Sequence, residues 1–159
     1  MDKKERRKTK NIKIRTLVDE SKSKCKEFFK EEYRYCNGEA IEELGLDADL
    51  IDQLLEDYVI QIIKSDASFK EYLENLKTQK LTSEELDFTP FRELAHKNLG
   101  VARNLRIKDS EKILSILMKS DDLESLEECL ETLKSCVIKL KPLSAFSTLE
   151  LIDLKSKLN

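Results

Sequence analysis

The chain has 159 residues, 38% of them charged and only 6% aromatic, with three Gly, two Pro and no Trp. That length fits one domain with a real core, and the balance favours helices, since strands want β-branched and aromatic residues and hairpins want glycine-rich turns. A formal charge of −3 argues against a general nucleic-acid binder, no apolar run approaches the roughly 18–20 residues of a membrane helix, and no apolar stretch of a secretory signal follows the first basic residues.

In chain order, residues 1–13 read as a basic, flexible arm. Residues 1–15 hold eight Lys/Arg (Lys3, Lys4, Arg6, Arg7, Lys8, Lys10, Lys13 and Arg15) against Asp2 and Glu5, which leaves an acidic body. The arm is the only candidate for nucleic-acid binding, and it has no interleaved aromatics. Residues 14–37, with Leu17, Cys25, Phe28, Phe29 and Tyr33, predict a modestly amphipathic helix on or beside the main body. Asn37-Gly38 is its expected stop.

After a turn at Gly45, Asp47 is placed to cap a strong helix. Its stripe is Leu50, Ile51, Leu54, Leu55, Tyr58, Val59, Ile62 and Ile63, at helical spacing. Ser65-Asp66 is expected to break that helix, and Phe69, Tyr72, Leu73 and Leu76 to line another. The polar stretch 77–87 reads as a connection. Thr89-Pro90 supplies an N-cap and a first-turn proline for the next helix. Asp109 is the expected cap of a helix with Ile113, Leu114, Ile116 and Leu117. A longer helix after Ser120-Asp121 carries Leu123, Leu126, Cys129, Leu130, Leu133, Cys136, Val137 and Leu140. Pro142 interrupts before a last short helix over 143–158. The predicted fold is all-α, an antiparallel four-helix bundle over 44–141 with extra helices at either side.

Cys25, Cys36, Cys129 and Cys136 lack CxxC spacing and read as buried free thiols, not as a zinc site or a disulfide framework. The cysteine usage and the lack of a leader point to a cytoplasmic protein.

His96 is the only histidine, and imidazole is the side chain suited to proton or phosphoryl exchange near neutral pH. At about 100° per residue, Phe91, Leu94, Ala95, Ala102 and Leu105 define an apolar stripe, and His96 projects about 150° from its centre. Gly100, Arg103 and Arg92 fall within about 40° of the histidine, and Leu99 lies between the core and this exposed face. Glycine inside a helix costs about 0.5–1 kcal/mol relative to alanine, while its missing side chain clears access to the imidazole. The arginines suit anionic phosphoryl oxygens. With no second histidine, a metal site is not expected.

The run Leu94-Ala-His-Lys-Asn-Leu-Gly-Val-Ala-Arg-Asn-Leu105 resembles the phosphoacceptor helix of histidine-containing phosphotransfer (HPt) domains. Leu44–Tyr58 is similar to the helix that begins the family's bundle, and the helices at Ile113–Leu117 and Leu123–Leu140 to its remaining hairpin. The resemblance spans about residues 44–140. It implies that His96 is phosphorylated, that Gly100 exposes it, and that the bundle docks on a response-regulator receiver domain or a hybrid histidine kinase.

Receiver Mg²⁺ and carboxylates would then serve the reaction, and this chain would need no cofactor. No glycine-rich phosphate loop is present, so phosphorylation from ATP is not indicated. The chain departs from the family where Leu99 stands in place of the lysine three residues after the histidine, Asn98 in place of an apolar residue, and Arg106 in place of a later glycine. Support for the phosphoryl group would fall to Arg103, Lys97 and Arg92 beside Gly100, with Leu99 facing the partner. The alternative is an HPt-like helical adaptor that binds a response regulator or other protein without phosphotransfer.

Overall fold

A computed structural model describes residues 2–158 as seven helices, with no strand among the described residues. Helix α1 spans Lys3–Phe29, α2 Gly38–Leu44, α3 Ala48–Leu81, α4 Thr89–Asn104, α5 Lys108–Lys119, α6 Leu123–Leu140 and α7 Pro142–Leu158. Helix α3 packs on α4, α4 on α5, α5 on α6, and α6 back on α3, while α1 lies against α6 and α7 against α3. The core gathers Ile51, Leu55, Tyr58, Val59 and Ile62 of α3 with Phe91 and Ala95 of α4, Ile113, Leu114 and Leu117 of α5, and Leu126, Leu133 and Val137 of α6. Phe69 and Phe91 meet edge to face at 5.2 Å and join α3 to α4. No helix of the described residues is long and apolar enough to cross a membrane.

Several expectations are corrected. The basic arm is helical from Lys3 onward, as the first turns of α1. Asp2 accepts a hydrogen bond from the Glu5 N–H at 2.8 Å, and the Lys, Arg and Glu that follow are good helix formers. Helix α1 ends at Phe29, with Lys30 in the left-handed conformation at φ 63°. Asn37-Gly38 begins the short α2 instead of stopping α1; Gly45, at φ 65°, ends α2.

Ser65-Asp66 does not break α3, which runs 34 residues. The Ser65 hydroxyl donates to the Gln61 carbonyl at 2.8 Å and Asp66 pairs with Lys70 at 2.9 Å, so both polar groups are satisfied within the helix. The same helix takes up the first part of the expected 77–87 connection. At α4 the capping oxygen comes from Asp87, which accepts from the Thr89 N–H at 3.0 Å. Asp109 lies inside the first turn of α5, not before it. Asp47, by contrast, caps α3 through the Leu50 N–H at 2.9 Å, as the sequence predicts. Asp122 provides the cap of α6.

Candidate functional site

The face of α4 that carries His96 is set by what its other side buries. Phe91, Ala95, Asn98, Leu99, Ala102 and Leu105 are all inside. On the helical wheel these positions centre about 20° nearer to His96 than the stripe predicted from sequence. The cause is that α4 packs against both α3 and α5, so its buried arc is wide. Leu94 and Val101, on the far flank, are left half-buried and exposed. His96 remains on the exposed side with Lys97, Gly100 and Arg103.

Leu99 is therefore not a partner-facing residue. It is 1% exposed and belongs to the core. Its neighbour Asn98 is also buried; the side-chain amide donates to the Leu94 carbonyl at 3.0 Å, and Oδ1 is left without a partner. Where the HPt motif carries an apolar residue followed by a cation, this chain buries an amide followed by a leucine.

His96 borders an open depression of about 670 Å³. Half-buried Leu86, Phe88 and Met118 give it an apolar lining, with Arg92 and Lys97 beside the histidine and the carboxylates of Asp87 and Glu93 on its edge. Arg92 is already engaged. Its guanidinium lies 4.5 Å from the centre of the Phe88 ring, and Nη2 donates to the Lys119 carbonyl at 3.5 Å, at the C-terminal end of α5.

Arg103 is exposed, and no ion pair holds it among the described residues. It sits two turns beyond His96, about 10 Å along the axis. Helical side chains lean toward the N-terminus, the direction in which Gly100 and His96 lie from Arg103. A Cβ added at Gly100 would meet nothing within 4 Å. The fold gives no steric reason for glycine there, so the cost of a glycine inside a helix is left to be explained by what approaches from outside.

A second group of residues escaped the sequence reading. A cavity of about 800 Å³ between α1, the following segment and α6 is lined by Cys25, Tyr33, Cys36, Asp109, Cys136 and Lys139 among others. Asp109 is 6% exposed; its Oδ2 lies 3.7 Å from Lys139 Nζ, which donates to the Tyr33 carbonyl at 2.9 Å. Burial raises the Asp109 carboxyl above its ordinary range, against the opposing pull of Lys139. Cys25 and Cys136 are 111 residues apart in the chain, and no local spacing could have joined them. Among the described residues no three His, Cys, Asp or Glu side chains are grouped to hold a metal ion.

No protein family, curated protein or solved structure matches the chain.

Proposed function

We propose that the chain is a phosphotransfer protein of a two-component relay, in which His96 accepts a phosphoryl group from a receiver-domain aspartate and passes it on. The observation that carries the reading is the exposed imidazole of His96 beside Gly100, a helix-interior glycine with no atom of the fold near its missing side chain. The closed circuit of contacts α3–α4–α5–α6 supports an HPt-like four-helix bundle. The apolar lining of Leu86, Phe88 and Met118 beside the histidine suits a docked protein surface.

The chemistry asks little of this chain beyond position and charge. A ring nitrogen lone pair of neutral His96 attacks phosphorus, the P–N bond forms as the acyl P–O bond breaks, and the receiver carboxylate leaves with the electron pair. Arg103 and Lys97 supply the positive charge that the family draws from a lysine at the position of Leu99. Leu99 favours the adaptor reading, because a leucine there leaves no cation at that position.

The test is incubation with a panel of phosphorylated receiver domains and Mg²⁺. Acid-labile, base-stable label on the wild-type protein and none on His96→Gln is the expected result. Equal labelling of His96→Gln would remove the proposal. Binding of a receiver that survives His96→Gln, with no label on either protein, is the adaptor's signature.

A further inference from the structure

Three thiols share the cavity between α1 and α6. Cys25 of α1 and Cys136 of α6 are 3% and 2% exposed, and their sulfurs lie 3.7 Å apart. Both line the cavity, as does Cys36, which is exposed on the segment after α1. Cys129, by contrast, is buried and is not among the lining residues. A core cysteine is normally inert because nothing reaches it. Here a space of about 800 Å³ is bordered by both residues.

We propose that Cys25 and Cys136 are a redox modification site, oxidised by hydroperoxides to a reversible disulfide that clamps α1 onto the bundle. The separation must close from 3.7 Å to about 2.05 Å. The bond would cross from α1 to α6, two helices that already pack along their lengths.

The two thiols are coupled, and either sulfur can donate in the contact between them. The contact with the Cys136 sulfur favours the Cys25 thiolate, and with the positive charge of Lys139 it holds Cys25 below the ordinary thiol range, against the opposing effect of its burial and of Asp109. The same contact and its burial push Cys136 upward. Attack from either sulfur gives the same disulfide; in one order the nucleophile is Cys25. Its thiolate attacks one peroxide oxygen, the O–O bond breaks, and the departing oxygen takes a proton to leave as water or alcohol. The resulting sulfenic acid is attacked by the Cys136 sulfur. The S–S bond forms as the S–O bond breaks, and the released hydroxide carries off the Cys136 proton as water. Two thiols are oxidised and one peroxide is reduced.

The experiment uses the full chain, reduced and then exposed to hydrogen peroxide, with free thiols blocked before non-reducing peptide mapping. Wild-type protein and Cys36→Ser are both expected to give an intramolecular Cys25–Cys136 cross-link that dithiothreitol reverses. Oxidation should raise the thermal midpoint of both by on the order of 10 °C, and should not raise that of Cys136→Ala. Because Cys136→Ala opens a space in the core, Cys36→Ser carries the decision. The proposal fails if oxidised Cys36→Ser keeps Cys25 and Cys136 free to alkylation after denaturation, or stops at sulfinic acid without the cross-link.

Discussion

The Tyr35 hydroxyl donates to the Leu105 carbonyl at 2.7 Å and so ties the segment after α1 to the end of the helix that carries His96. Around it, Tyr33 accepts from the Lys108 N–H at 3.1 Å, and Arg106 pairs with Glu43 of α2. The turn between α4 and α5 is thus held by groups that lie more than sixty residues earlier in the chain. It closes as a Schellman motif, with Ile107 N–H bonded to the Ala102 carbonyl and Arg106 N–H to the Arg103 carbonyl.

Arg106 occupies the left-handed position of that motif, at φ 59°, where glycine is the usual choice. An L side chain there costs about 1–2 kcal/mol, and a partly exposed ion pair with Glu43 returns at most about 1 kcal/mol. Arg106→Gly and Arg106→Ala both lose the guanidinium, but only glycine relieves the backbone. Chemical denaturation should therefore find Arg106→Gly more stable than Arg106→Ala by about 1 kcal/mol. Equal stabilities would mean that the left-handed turn carries no strain.

Tyr58 is 2% exposed and its hydroxyl has no formed hydrogen bond; the same is true of Ser110 Oγ nearby. Burial pushes the Tyr58 phenol well above its ordinary range. A buried hydroxyl without a partner costs about 1–3 kcal/mol relative to one that is satisfied. Tyr58→Phe keeps the ring and removes the orphaned group, so its stability should equal the wild type or exceed it by about 1 kcal/mol. A loss of more than that would show that the hydroxyl is bonded in solution.

Periodicity made the stripes of α3, α5 and α6 legible, because core residues at helical spacing need no tertiary information. Asp47 was legible for the same reason: its cap acts within three residues. Several failures involve partners distant in sequence or bonds internal to a helix. Ser65 and Asp66 look like a break until their own helix satisfies them. Asp109 looks like a cap until Lys139 draws it inside. One helix's wheel puts Leu99 beside the exposed face, whereas α3 and α5 together decide how wide the buried arc is. The Cys25–Cys136 pair depends on α1 lying against α6, which no spacing encodes.

Alkaline pH gives a separate handle on the contacts between the segment after α1 and the turn between α4 and α5. Burial raises Tyr33 to about 12 from its ordinary 10.0, although the bond from the Lys108 N–H works the other way. The folded protein then holds this proton more tightly than the unfolded chain does, so stability is fully present below the unfolded value and falls as pH rises between the two. Two units would be worth about 2.7 kcal/mol, and solvent around a half-exposed side chain reduces that to roughly 1 kcal/mol. The stability difference between wild type and Tyr33→Phe should shrink by that amount between about pH 10 and about pH 12. A difference that stays constant across this window would place Tyr33 in ordinary solvent.

Gly100 separates the needs of the fold from those of the proposed site. It is exposed within α4, and a Cβ there meets nothing within 4 Å. Gly100→Ala should stabilise the protein by about 0.5–1 kcal/mol, the ordinary gain inside a helix. Gly100→Gln should also fold, since its side chain enters open space, but it would stand one turn from His96 and beneath Arg103. Label acquired from a phosphorylated receiver should then fall about tenfold or more, the effect of losing about 1.4 kcal/mol of positioning. Stability and labelling thus move in opposite directions if access to His96 is the reason for the glycine. If Gly100→Gln labels as readily as the wild type while Gly100→Ala destabilises the helix, the glycine answers to the fold, and the strongest support for His96 as phosphoacceptor is gone.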